Sequence, residues 1–535
     1  MRKNKRALAI GMALCTLGLA ACGKGSDSKV EPTPTEAANA EVTPSGAEEA
    51  EPTPEASTGG EDAAPTAIPV VTAEPVIYEA EKGTLTGNAR IESSKNGFRG
   101  EGYVTGFEAD GDACTITVNA EQTGFYDLHI VSFSTGDTKE NYIHIDGEQF
   151  GTFKNTKSSF ENVVVERVYL EEGQHEITIS KYWGWIGVDS ITLKGSAALP
   201  EDLYEVSAKL INENATDNAK RLMSYLTDIY GKQYLTGQSS DAGMYGMERS
   251  AIWKTTGGEF PAILGLDLIE YTPSRVANGS TSKAVEYAID YWDAGGIVTF
   301  CWHWNAPEEY LTGVWYSGFY KEHTNINLAK IMSGEDTAGY DLLIRDIDAI
   351  AEQLKKLQDA DVPVLWRPLH EASGGWFWWG ASGAEAYKEL YKLLYDRLTN
   401  HHGLNNLIWV WNGQSADWYP GDEYVDIIGE DIYPGEKVYT SQVKKFLEAA
   451  GYSVERKMVV MSENGCLFDP DLAIRDGAMW GYYTTWGGEF VLKDASLNIL
   501  SEQYTEAEMV KKVYSHEAAI NFSELPDLKT YPIHE

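Results

Sequence analysis

Cysteine is nearly missing from this chain: there are five in 535 residues, at Cys15, Cys22, Cys114, Cys301 and Cys466. Spacing this wide excludes a disulfide framework and gives no zinc-site pattern, so the last three are expected to be buried thiols. Basic residues are also short, 43 Lys and Arg against 81 Asp and Glu, a formal net charge of −38. With no basic run to offset it, that charge would repel nucleic-acid phosphates and excludes such a partner. A neutral polymer such as a polysaccharide tolerates it. Beyond the N-terminus no stretch is apolar enough to span a bilayer. What is present is length for two or three domains.

The first residues read as an export signal. Met1 to Arg6 is strongly basic, and Ala7 to Ala20 is apolar but short. The run ends Leu19-Ala20-Ala21-Cys22-Gly23, which resembles a bacterial lipobox. The resemblance implies a signal peptide over 1–21, lipidation at Cys22, and a protein anchored on the outer face of the cell membrane. Two acyl chains on one cysteine are what stable anchoring takes. Residues 22–75 are mostly Glu, Pro, Thr, Ala, Ser and Gly, so they bury too little surface to offset ordering entropy and form an extended linker.

From 76 to 196 the pattern changes to short alternating runs, such as Cys114-Thr115-Ile116-Thr117-Val118 and Glu176-Ile177-Thr178-Ile179, split by Asp110-Gly111, Asp146-Gly147 and Glu172-Gly173. This predicts an antiparallel β-sandwich without catalytic residues. Tyr78-Glu79-Ala80-Glu81, Gly102 to Phe107, Gly124-Phe125-Tyr126 and Trp185 to Leu193 resemble carbohydrate-binding modules of family 35. That resemblance implies a structural calcium on Glu79, Glu81 and Asp189, hard oxygen ligands of the kind calcium takes. It also implies sugar contacts on Trp183, Trp185 and Tyr103, although Trp185 suits a sandwich core equally well.

From 204 to 535 apolar strand-like runs alternate with amphipathic helices, for example Tyr340 to Gln358 and Ala384 to Leu398. Eight runs qualify as strands: 234–237, 262–267, 296–303, 362–368, 407–412, 425–431, 458–463 and 481–486. Eight such repeats predict a (β/α)8 TIM barrel, whose chemistry sits at the C-terminal ends of its strands. An open doubly wound sheet would want a glycine-rich phosphate loop after its first strand, and none is present.

Two strand ends stand out. Glu371 follows the fourth run in Trp366-Arg367-Pro368-Leu369-His370-Glu371, with Trp376-Phe377-Trp378-Trp379 close behind, and Glu463 ends the seventh in Met461-Ser462-Glu463-Asn464-Gly465. Strands four and seven face each other across a barrel mouth. Two carboxylates there, beside indole faces, are suited to cleaving a glycosidic bond. His303, Asp431, Tyr433 and Trp486 also fall at strand ends. Trp302 and Trp304 suit core packing as well as sugar stacking. Trp409 and Trp411 share one face of their strand, which the pattern alone does not assign to the interior or the helix layer.

Arg-Pro-Leu-His-Glu followed by Trp-Phe-Trp-Trp-Gly, with Ser-Glu-Asn-Gly later, resembles glycoside hydrolase family 26, whose main activity is endo-β-1,4-mannanase. The resemblance implies a retaining mechanism with Glu371 as acid/base and Glu463 as nucleophile. It further implies His370 and Tyr433 as hydrogen-bonding neighbours able to hold Glu463, His303 and Trp376 as groove contacts, and Trp486 as a platform under the sugar. No cofactor is expected for catalysis. The partners implied are β-mannan or manno-oligosaccharides, and the protein is expected to act as a monomer. An endo-glucanase or xylanase of the same fold, or a lipid-anchored oligosaccharide-binding protein, are the competing readings.

Overall fold

The computed structural model describes residues 68–240 and 246–534. Cys22, the export signal and most of the acidic linker lie outside the described residues.

Residues 76–195 form two antiparallel sheets packed face to face. One runs Arg90–Glu92, Tyr103–Thr105, Ile186–Gly195, Gly124–Ser134, Glu161–Leu170, with Val76–Glu79 paired to Ile186–Gly195. The other runs Thr84–Thr86, Ala113–Ala120, Gly173–Ser180, Lys139–Ile145, Glu148–Asn155. Side chains alternate as the pattern requires: Cys114, Ile116 and Val118 point inward and meet Ile177, Ile179 and Leu128 in one core. Val71, inside the stretch assigned to the linker, joins this core, where two glycines (Gly124, Gly195) leave room for it. The first strand still begins at Val76, so one linker side chain caps the core rather than extending the sheets.

Tyr103 corrects an expectation. It is 3 % exposed, wedged edge-on against Phe133 and Phe160, and belongs to the packing rather than to a sugar-facing loop. Trp183 and Trp185 are 41 % and 51 % exposed, so Trp185 is not sandwich core.

The second region is a closed barrel of eight parallel strands. In chain order they are Gly237–Ser239, Ile263–Asp267, Ile297–Trp302, Val364–Pro368, Leu407–Trp411, Ile427–Ile432, Met458–Asn464 and Tyr483–Thr485, called strands one to eight below. Strand one pairs with strand eight through Gln238 and Thr485, which closes the ring. The first expected strand is displaced: Tyr234–Leu235 pairs with Ala519–Ile520 instead, and the ladder to strand two begins at Gly237. Most of the strands are buried throughout, as both faces of a barrel wall are covered.

The helices carry the apolar stripe expected of them. Thr337–Asp359 starts where Asp336 accepts a hydrogen bond from Gly339 N, and turns Leu343, Ile347, Ile350 and Leu354 onto the barrel. Trp409 packs on Tyr391 and Tyr395, and Trp411 on Tyr419 and Tyr452, so both indoles belong to the helix layer. Trp302 and Trp304 are stacked at 4.2 Å and fully buried, donating to Thr272 and Asp346. They are core, not groove.

The sandwich and the barrel touch. Gln149 donates to the carbonyl of Pro434 at 3.1 Å, and Arg167 to the carbonyl of Asp476 at 3.2 Å. Arg475 lies over the Tyr169 ring, and Phe150 packs against both cores.

Candidate active site

Glu371 sits one turn past strand four, on backbone that L-residues seldom adopt: Leu369 has φ 52° and Glu371 φ 53°. Each left-handed residue costs roughly 1–2 kcal/mol. The bend persists because Glu371 N donates to both the carbonyl and the side-chain oxygen of Asn412, at 2.8 and 3.1 Å. It aims the carboxyl into the mouth of the barrel, where Trp376 Nε1 donates to Oε2 at 2.9 Å. Burial first, then the charges of Asp431 and Glu463, push the Glu371 carboxyl well above the usual carboxylate range. It is held as an acid.

Glu463 is placed differently. Arg367 reaches up from strand four and donates to Glu463 Oε2 at 2.5 Å and to Asp431 Oδ2 at 2.6 Å. Tyr433 OH donates to Glu463 Oε1. The carboxylate is thus gripped on both oxygens by a cation and a phenol. Asp431 is itself held by Ser462 at 2.8 Å and Asn412 at 3.2 Å. One carboxylate oxygen from each of Glu371, Asp431 and Glu463 lies within 4.8 Å of the others. Three acids this close could in principle hold a cation, but the Arg367 guanidinium already supplies the positive charge between two of them.

The remaining expected residues gather here too, with one correction. His370 does not hold Glu463. Its Nε2 lies 3.2 Å from Nε2 of His303, and Arg367 takes the role assigned to it. Burial, with the nearby charge of Arg367, keeps His370 well below the usual imidazole range and therefore neutral. His303 also meets Trp486 at 5.7 Å and Phe377 at 5.6 Å between ring centroids. Trp486 follows strand eight at the rim, its backbone N–H donating to the carbonyl of Asn464 at 2.9 Å. Tyr433 leans on Phe490 with 43 % of its surface open to the groove.

Four residues of the site carried no assigned role in the sequence: Arg367, Asn412, Asp267 and Ser462. Arg367 had a signal, a charge in the middle of a strand buried on both faces, which demands buried anions. Asn412 had only its place at the end of strand five.

In the sandwich, Glu79, Glu81 and Asp189 are electrostatic neighbours, although one oxygen from each does not gather within 4.8 Å as in the barrel site. Asp189 accepts from Arg99 N at 2.7 Å and Glu81 from Glu101 N at 2.9 Å. Burial, then the neighbouring Glu81 and Asp189, push Glu79 above its usual range. Oε2 of both Glu79 and Glu81 is buried without a hydrogen-bond partner. No catalytic geometry accompanies them.

Residues 211–523 match glycosyl hydrolase family 26, and residues 76–196 match carbohydrate binding module (family 35). A mannan endo-1,4-beta-mannosidase of Thermothelomyces thermophilus is 41 % identical over 475 residues, covering 88 % of this chain and 94 % of its own length. Mannan endo-1,4-beta-mannosidase B of a Piromyces species is 37 % identical over 85 % of this chain and 78 % of its own. Among solved structures, the Podospora anserina GH26-CBM35 beta-(1,4)-mannanase is 39 % identical with TM-score 0.60, covering 85 % of this chain and 99 % of that one. A barrel closed by eight parallel strands, its two glutamates on strands four and seven, and matches over most of the length agree: the chain belongs to glycosyl hydrolase family 26 and carries a family 35 carbohydrate-binding module.

Proposed function

We propose that this protein is a retaining endo-β-1,4-mannanase, and the separation of its two glutamates carries the reading. Carboxyl oxygens within 4.8 Å leave no room for the water that an inverting enzyme seats between groups roughly 6.5–9.5 Å apart. The activity named for the relatives supplies the substrate class.

The roles follow from the charges. Glu371, protonated, gives its proton to the glycosidic oxygen as that bond to the anomeric carbon breaks. Glu463, ionised between Arg367 and Tyr433, forms the new bond to the anomeric carbon from the opposite face. Glu371, now a carboxylate, takes a proton from water, whose oxygen attacks the same carbon and releases Glu463. Trp486 offers a flat face to the sugar being cleaved, and Trp376 both orients Glu371 and walls the groove.

Reducing-sugar release from locust bean gum, barley β-glucan and xylan tests the proposal. Activity confined to the mannan supports it. Preference for β-glucan or xylan would make the enzyme a glucanase or xylanase, and no release from any would leave a binding protein.

The rest of the reading concerns placement. The Leu-Ala-Ala-Cys-Gly run supports processing at residue 21 and a lipid on Cys22, holding a monomeric enzyme on the outer face of the membrane; Cys22→Ser should release it from the membrane fraction or leave it unprocessed. The unpartnered oxygens of Glu79 and Glu81 beside Asp189 fit a calcium ion in the sandwich. A chelator that leaves the melting temperature unchanged would remove it.

A further inference from the structure

Asp267 ends strand two and is half-buried against His303. Its Oδ1 accepts from the backbone N–H groups of Ile269 at 2.8 Å and His303 at 3.1 Å. Its Oδ2 faces His303 Nδ1 at 2.6 Å. His303 Nε2 then faces His370 Nε2, and His370 is the residue before the acid/base.

Three groups in a row constrain one another. A carboxylate can only accept, so His303 must carry a proton on Nδ1. Two nitrogens 3.2 Å apart share a single proton. If it belongs to His370, His303 stays the neutral tautomer that Asp267 selects and the Nδ1 of His370 is a bare acceptor; if it belongs to His303, that ring holds both protons as an imidazolium and the Nδ1 of His370 carries a proton and donates. This Nδ1 is buried and has no hydrogen-bond partner among the described residues. The His370 ring is hemmed in, packed against the stacked pair Phe377 and Trp379 and edge-on to His303, with the His370 carbonyl accepting from Trp379 Nε1 at 2.9 Å. What His370 offers a ligand is therefore decided through His303, and His303 is set by Asp267. The other ionisable groups near the pair are Arg367, Glu371, Asp431, Glu463 and the Cys301 thiol, which burial keeps protonated.

We propose that Asp267 is a positioning residue for sugar cleavage, locking the tautomer and orientation of His303 and, through it, of His370. The proposal rests on the hydrolase reading of the groove. Outer partners that orient a metal-bound imidazole are typically worth about 10–100-fold, and a carboxylate fixing His303 in the same way sets the same scale here.

The test uses the full chain with Asp267→Ala, Asp267→Asn and His303→Ala, assayed on an aryl β-mannobioside and on mannopentaose. Asp267→Ala should lose about 10–100-fold in kcat/KM, mainly through kcat, with an altered pH profile. Asp267→Asn, whose carbonyl still accepts from Nδ1, should recover most of that loss. The double variant Asp267→Ala/His303→Ala should be no worse than His303→Ala alone. A folded Asp267→Ala enzyme with unchanged kcat, KM and pH profile would overturn the proposal, as would losses that multiply in the double variant. Should Asp267→Ala not fold, nitrogen-15 spectra of histidine-labelled wild type decide: a proton on His303 Nδ1 supports the lock, and a bare Nδ1 sinks it. Wild type inactive on every β-glycan would instead count against the hydrolase reading, and the histidine spectra would still judge Asp267.

Discussion

Replacing Arg367 by methionine would keep the volume of the side chain and remove its charge. In the wild type that guanidinium bridges Asp431 and Glu463, and all three side chains are almost fully buried. Methionine leaves two carboxylates facing each other in a low-dielectric interior. Breaking a buried pair by deleting one partner costs about 3–5 kcal/mol. With an unfolding entropy of roughly 2.1 cal/mol/K per residue, a barrel of roughly 300 residues loses about 0.6 kcal/mol per kelvin at its midpoint. The expected drop in melting temperature near neutral pH is then about 5–8 °C. Acidification should narrow the gap, because burial already pushes the Asp431 carboxyl up to about 7, so without Arg367 it takes a proton and sheds the repulsion, whereas the wild type loses its Asp431 ion pair over the same range. Catalysis should suffer more than stability: Glu463 loses the charged donor that holds it for attack, so kcat should fall about 10²–10³-fold even with an activated leaving group. Calorimetry at several pH values, with kinetics on a dinitrophenyl glycoside, measures both. A methionine variant as stable as the wild type at pH 7, or active within tenfold, would refute the reasoning.

Glu463→Ala should abolish turnover, with azide restoring cleavage of an activated aryl glycoside as the α-glycosyl azide; substantial activity without azide would take Glu463 out of the mechanism. Glu371→Ala should stop polymer hydrolysis yet still show a burst on a substrate with a good leaving group, since the first step then needs little acid. Because burial holds Glu371 protonated above its unfolded range, the wild type loses stability as pH rises from that range; Glu371→Gln should melt higher, by a margin that grows with pH and vanishes at low pH. Deleting residues 68–195 should weaken action on insoluble mannan and lower the melting temperature of the barrel, which loses its contacts to Gln149, Phe150 and Arg167; an unchanged melting curve would mean those contacts contribute nothing.

Much of this was legible because the signals are local. A barrel strand is a short apolar run, a sandwich strand alternates, and each can be read in a window of a few residues. The two glutamates were legible for the same reason, each ending such a run. Arg367 stood in plain view, but its partners lie 64 and 96 residues away, and only closure of the barrel brings them to it. His370 was misread for a related reason: its neighbour on the adjacent strand end, His303, competes for it before Glu463 can. Tyr103 reads as a loop aromatic after Gly102, yet pairing with Ile91 through Val104 makes it part of a strand whose one face is core. Where the sandwich meets the barrel, no periodicity marks the surface, because the contacts go largely to backbone carbonyls that every residue has.

That last contact has a consequence for anyone wishing to rebuild the molecule. Gln149 meets the carbonyl of the residue directly after Tyr433, so the sandwich leans on the loop that carries the phenol gripping the nucleophile. Swapping in a sandwich from another source, as one changes the head of a tool, would alter the fit of a working part as well as the grip on polymer. A chimera would keep its turnover number only if the graft brings a donor to Pro434 and a guanidinium to the Asp476 carbonyl. Grafts chosen for sugar affinity alone would cut more slowly however well they bind.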